Sequence, residues 1–375
     1  MLSCPHYLRE IDPAFDLPPE ERYESFIYGK VLEHSHALRK GIAEGLAILC
    51  SQPNIRSYRS LYKTETTTTT ARAIHEILDN ADWRLWGSLN DVLPILAEAA
   101  PNAFLNVVES TLRLTPCPFD ELYAQESSGI TGRSYLTGLL WALEGLAWDE
   151  EYFVRVCVAL GELASRDPGG NWTNRPFNSL VTILLPWLPQ TLASIDKRKT
   201  AVKTLLNEQP HVGWNLLIAL LPNQRQTSHG SYKPSWRNII PDDWEKGVTH
   251  EEYRQQISNY TELAVKGAGH DTARLAELID HFDNLPQSAF DQLVEVLVSK
   301  PISELPEEQR LSLWTHLTLL ANKHRRSPDA EWALPGELIT RIENIIADQL
   351  APTNPFYLHQ PLFSDHNVDI TPAYK

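Results

Sequence analysis

Apolar residues recur every three or four positions along this chain, and runs alternating apolar with polar residues are scarce. The pattern predicts helices almost throughout. The clearest units come in pairs: an apolar helix, a brief break, then a second apolar helix. Leu89 to Ala100 (LNDVLPILAEAA) breaks at Pro101 and resumes as NAFLNVVESTLRL. Tyr135 to Trp148 breaks at Asp149, an expected N-cap, and resumes as EEYFVRVCVALGELA. Lys197 to Gln209 breaks at Pro210 before HVGWNLLIALL, and Ser288 to Ser299 passes through KPISELP into EEQRLSLWTHLTLLANKHR. Proline at the head of a second helix is harmless, because the first-turn amide has no intrahelical acceptor. Each second helix carries an aromatic residue in its first half (Phe104, Phe153, Trp214, Trp314), placed to wedge between the paired helices.

Such pairs leave an apolar face that a neighbour must cover, and stacking covers it. The expected fold is therefore all-α: an α-solenoid of degenerate helical hairpins of the HEAT or tetratricopeptide kind. No repeat of strict period emerges, so a compact, non-repetitive helical domain is the alternative. The expected organisation is a hairpin array over 1–221, an ordered insertion loop over 222–247, further array over 248–351 and an extended tail over 352–375. Tyr62 to Glu76 (YKTETTTTTARAIHE), polar and β-branched, reads as a loop ending in a threonine N-cap before Ala71. The insertion, LPNQRQTSHGSYKPSWRNIIPDDWEKG, is longer than connections usually run without structure of their own. Its Tyr232, Trp236 and Trp244 are unlike the composition of a disordered segment. The tail is proline-punctuated and offers no polar capping repeat, so the chain is expected to belong to a larger protein or to pack against a partner.

Charge narrows the partners. The net charge of the 375 residues is −15, which argues against nucleic acid as the default. The charge is uneven, however: Asp167 to Gly247 holds nine Lys/Arg against six Asp/Glu, leaving −18 on the remainder. No apolar run is long enough to span a bilayer, so no membrane role is expected. The opening residues lack the basic and apolar regions of a secretory signal, and a cytoplasmic location is expected. Cys4, Cys50, Cys117 and Cys157 are widely spaced, with no C-x-x-C pair, and are expected to be buried free thiols.

Candidate chemistry is sparse. There is no Walker loop, H-E-x-x-H, G-x-S-x-G or dinucleotide fingerprint, so no catalytic residue, metal ligand or cofactor is assigned. His34 and His36 would diverge by about 200° on a helix, and His281 and Asp283 share that problem. The candidate binding residues are Arg175, Arg225, His229, Tyr232, Lys233, Trp236 and Arg237, a cationic and aromatic set of the kind that dominates interface hot spots. The plainer reading is that Trp236 and Trp244 pin the insertion onto helices, with Asp242 and Asp243 capping the next helix or pairing with Arg237. Lys197, Arg198 and Lys199 read as a solvated helix face.

The segments LLWALEGLAWDEEYFVRVCVALGELASRDPGGNWTNRPFNSLVTILLPWLPQT and GWNLLIALLPNQRQTSHGSYKPSWRN carry a pattern of tryptophans and prolines. In this they resemble the C-terminal helical region of large bacterial antiphage-defence proteins of the STAND NTPase type. The resemblance implies a sensor or scaffold segment that recognises a protein and relays this to an effector elsewhere; the chain itself shows no NTPase motif. The expected function is a non-enzymatic helical-repeat module that recognises a protein partner or the remaining domains of a larger protein. The alternatives are a nucleic-acid-binding array using the basic centre, and an enzyme with a dispersed site.

Overall fold

The computed structural model describes residues 4–51, 60–125, 134–170, 172–188, 190–223, 227–228, 230–330 and 332–353. Among these, every regular element is helical. The chain divides into two compact units, one of residues 1–216 with 227–253, the other of residues 217–226 with 254–375. The expected tail over 352–375 lies almost wholly outside the described residues.

The first unit is built from α1 (Cys4–Leu8), α2 (His36–Ser51), α3 (Ser60–Leu78), α4 (Trp83–Ser88), α5 (Leu93–Ala99), α6 (Pro101–Leu112), α7 (Pro118–Ala124), α8 (Thr137–Ala147), α9 (Phe153–Arg166), α10 (Pro176–Leu184) and α11 (Ile195–Glu208), with the start of α12 (Pro210–Leu220). The expected breaks fall where the sequence places them. Pro101, Pro176 and Pro210 each open a helix, a position that needs no amide donor. Asp149 is not the N-cap the sequence suggests: α9 starts at Phe153 with Tyr152 in the cap position, and Asp149 instead accepts from the Glu151 amide at 3.0 Å in the turn before it.

Helix contacts run in two files. α2 packs on α5, α5 on α8 and α8 on α10; α3 packs on α6, α6 on α9 and α9 on α11. Contacts between α2 and α3, α5 and α6, and α8 and α9 join the files crosswise. Lying between neighbours on both sides, α5 is buried along its whole length and α8 along nearly all of it. Both therefore read as continuous apolar runs rather than one-sided stripes. The wedge residues Phe104 and Phe153 are fully buried, and Trp86, equally buried, meets the rings of Phe104 and Phe119 edge-on. Gly138 is where α8 comes closest to its surroundings: a Cβ there would lie 1.7 Å from the Asn90 carbonyl oxygen.

Two expectations about the helices of this unit fail as well. Tyr62 to Glu76 is not a loop: α3 runs unbroken through the threonines. Each threonine costs helix propensity only a few tenths of a kcal/mol. Thr70, Ala73, Ile74, Ile77 and Leu78 are all buried, and their packing outweighs that cost. Arg198 is not on a solvated face but buried, donating to the carbonyls of Ala193 and Thr191 and so tying off the turn before α11.

The second unit takes the end of α12, most of α13 (His250–Ala268), α14 (Thr272–Ile279), α15 (Gln287–Leu297), α16 (Lys300–Ser303), α17 (Glu307–Arg326) and α18 (Gly336–Ile345). Asp271 caps α14 by accepting from the amides of Ala273 and Arg274. α17 packs on α14 and α18 rather than chiefly on α15, the helix the sequence pairs it with, and Trp314 is buried. His324 is wholly buried on α17, its Nδ1 accepting from the Leu334 amide at 3.1 Å.

Candidate functional site

The described part of the insertion returns to the first unit at Thr227, where two carboxylates that the sequence reading passed over hold its backbone. Glu98 lies near the end of α5, 4% exposed in a run otherwise composed of Leu, Pro, Ile and Ala. Its Oε1 accepts from the Ser235 amide at 3.0 Å, and its Oε2 from the amides of Trp236 at 2.7 Å and Arg237 at 3.0 Å. Three successive backbone donors thus converge on one buried carboxylate. A charge taken out of water is tolerable only with such compensation. The insertion supplies it, and in return its irregular backbone acquires acceptors.

Glu144 on α8 plays the second part. It accepts from the Ser179 hydroxyl at 2.6 Å and the Tyr232 amide at 2.7 Å. Burial pushes its carboxyl above the usual range, and these two donors only partly offset that. Beside it the Trp148 indole donates to the Tyr232 carbonyl at 3.0 Å, so both sides of the Tyr232 backbone are taken.

Side chains complete the attachment. The Tyr232 ring stacks on Trp141, centroids 5.5 Å apart and planes 15° from parallel. It runs across α8 at Gly145, where a Cβ would stand 3.4 Å from it. Trp244 meets Trp148 edge-on at 5.1 Å, and the Lys233 ammonium sits 3.8 Å from the Trp244 ring centroid. Arg237 pairs with Asp149 at 3.0 Å and lies over Tyr152. That corrects the expectation of an Arg237 pair with Asp242 or Asp243: Asp149, in the turn between α8 and α9, is the partner that packing supplies.

The structure therefore brings Tyr232, Lys233, Trp236 and Arg237 together on one anchored segment. Trp236 is held through its amide, with its ring half-buried. Arg175 serves otherwise. It is buried at the head of α10, pairs with Asp167 at 3.0 Å and donates to the Gly169 carbonyl, closing its own turn rather than facing a ligand. Arg225 and His229 lie outside the described residues. Lys233 is exposed to water, as is Trp141 at 43%, a residue the sequence reading did not single out.

Below the insertion lies an open cleft of about 280 Å³, lined by Cys50, Thr67, Glu98, Asn102 and Arg237 among others. Its ionic groups are already engaged, Glu98 by three amides and Arg237 by Asp149, and the neutral Asn102 accepts from Arg155. Burial raises the Cys50 thiol above its ordinary range, away from the thiolate a nucleophile needs. Among the described residues no cluster of His, Cys, Asp and Glu is arranged to hold a metal, and no helix is long and apolar enough to cross a membrane. Two of the four thiols, Cys117 and Cys157, are fully buried; Cys4 and Cys50 are only half-buried, less than expected. No family model matches the chain, and neither a curated protein nor a solved structure matches it.

Proposed function

We propose that this chain is a non-enzymatic helical-repeat module that recognises a protein partner, with the insertion as its recognition surface. One observation carries the reading. An irregular segment is held backbone-first by two buried glutamates, so the side chains it presents are fixed in place before any partner arrives. Preorganisation of that kind lowers the ordering cost of binding. Exposed Trp141 and Lys233, flanking the half-buried Tyr232 ring, supply an aromatic and cationic strip on it.

The two files of helix contacts in the first unit favour a solenoid of stacked hairpins over a non-repetitive domain. A role as a sensor or scaffold segment of bacterial antiviral defence rests on the resemblance in tryptophan and proline pattern, and a cytoplasmic location goes with it. The test is a pull-down from infected and uninfected bacterial lysate with the folded chain and with a Trp141→Ala, Lys233→Glu variant. A protein retained by the first and lost by the second is the expected result. No specific retention, or equal retention by both, refutes the reading. Retention of DNA or RNA at low salt, lost as salt rises, would replace it with the nucleic-acid alternative.

A further inference from the structure

A second surface is carried by a different segment of the first unit. Between Tyr23 and Val31 five large side chains stand in solvent: Tyr23, Phe26, Ile27, Tyr28 and Val31 are each between 50 and 68% exposed. Together they present roughly 500 Å² of mainly apolar surface, at the size where patches on monomers mark interaction sites.

This knuckle is a built turn. A 3-10 turn over Pro19–Glu24 continues through bonds from the Ile27 amide to the Glu24 carbonyl and from the Tyr28 amide to that of Ser25. It closes with a Schellman motif: the Lys30 amide donates to the Ser25 carbonyl at 2.9 Å and the Gly29 amide to that of Phe26 at 3.2 Å. Gly29, at φ +66°, takes the left-handed position that the motif requires.

Both stems are pinned. Arg22 donates to the Leu17 carbonyl and to Gln125, and lies over the Phe15 ring. Lys30 pairs with Asp16 at 2.9 Å, and Glu10 accepts from the amides of Glu33 and His34. The apolar tip is thus fixed in a solvent-facing posture, where a loop free to collapse would cover its aromatic residues.

Charge decides what the knuckle fits. From Pro19 to Glu33 the chain carries four glutamates, Glu20, Glu21, Glu24 and Glu33, and two cations. Arg22 is turned back to the contacts just described and the Lys30 ammonium is neutralised by Asp16, which leaves the glutamates as an acidic collar beside an apolar tip. Such a collar repels an anionic lipid surface and also a second copy of itself. We infer that the Tyr23–Val31 knuckle inserts into an apolar pocket rimmed by basic side chains on a different protein.

The test uses the full chain with benzoylphenylalanine in place of Tyr28, irradiated in lysate of the cells that make it, with the same group in place of exposed Lys300 as control. A protein crosslinked from position 28 but not from 300 is identified, purified and titrated. Phe26→Asp is expected to weaken binding by at least ~30-fold, the loss of a hot spot. Combined Glu20→Lys, Glu21→Lys and Glu24→Lys should weaken it by roughly tenfold, as should raising salt from about 50 to 500 mM. Lys300→Ala, at an exposed site outside both surfaces, should leave the affinity unchanged, which ties the losses to the knuckle.

Phe26 projects into solvent, so an unaltered urea midpoint for Phe26→Asp shows that lost binding is not lost folding. Four results overturn the inference. One is no crosslink above the control; another is an affinity insensitive to Phe26→Asp. The third is a dimer in sedimentation equilibrium that Phe26→Asp dissolves, and the fourth is cosedimentation with phosphatidylcholine vesicles that Phe26→Asp abolishes.

Discussion

Replacing Glu98 by alanine removes the acceptor of three consecutive amides, those of Ser235, Trp236 and Arg237, at 3.0, 2.7 and 3.0 Å. A hydrogen bond to an ionised group contributes about 1.5–3 kcal/mol to stability. The three are not additive, because they share one carboxylate and because a released segment lets its amides find water. A net loss of about 3–4 kcal/mol follows, most of it falling on the attachment of the insertion rather than on the helices beneath. Glu98→Gln is milder. Its carboxamide keeps one oxygen but sets an NH2 group against at least one backbone N–H, for a loss of about 1.5–3 kcal/mol.

The readout is native-state hydrogen exchange at those three amides, with urea unfolding of the whole chain beside it. In Glu98→Ala the amides should exchange faster by roughly two to three orders of magnitude, while amides of the buried helices α6 and α9 change far less. The reasoning is refuted if the three exchange within ~3-fold of wild type in a folded Glu98→Ala protein, since protection would then come from burial and not from the carboxylate. It is equally refuted if the whole first unit opens together with the insertion.

Glu144 should tie stability to pH. Its folded-state pKa lies above the ordinary carboxyl value through burial, so its contribution is fully present at low pH and is lost as pH rises through the raised value. Urea midpoints taken upward from about pH 4 should therefore drift in favour of Glu144→Gln relative to wild type, and a drift the other way would contradict the assignment. His324 should act oppositely. Burial, helped by neighbouring Lys323, lowers its pKa, so stability is full above the ordinary histidine value and falls as pH drops below about 6.5. A His324→Gln protein should lack that loss between neutral and mildly acidic pH. A maleimide reagent at neutral pH should label Cys4 readily and Cys50 more slowly, because burial raises the Cys50 thiol, while sparing Cys117 and Cys157; burial raises the Cys157 thiol far above its ordinary range. Rapid native labelling of Cys157 would show the α9 packing to be wrong.

Much of the fold was legible in the chain. The three-to-four spacing, the prolines at Pro101 and Pro210 and the aromatic residues at Phe104 and Phe153 predict helices, breaks and buried wedges where they are found. These are local matters: a helix start needs a tolerable first turn, and an apolar stripe needs cover. The threonine run misled because propensity is a weak preference that burial of one helix face overrides, as in α3.

The candidate site was legible in its location but not in its mechanism. A long aromatic break in a helical chain announces an ordered segment, and Tyr232, Lys233, Trp236 and Arg237 do gather there. What holds them was visible only as anomalies: single glutamates inside LPILAEAA and LLWALEGLAW, where a buried carboxylate must find donors. Sequence spacing cannot say which donors, because Glu98 and the Ser235 amide are 137 residues apart and meet only through packing. Arg175, read as a binding residue, and Arg198, read as part of a solvated helix face, are also buried, though against carbonyls only a few residues away. The sequence by itself determined that helices form and where they stop, since period and breakers act over a few residues. Which polar groups become buried, and what compensates each of them, was decided by tertiary structure, because desolvation depends on neighbours that are distant in the chain.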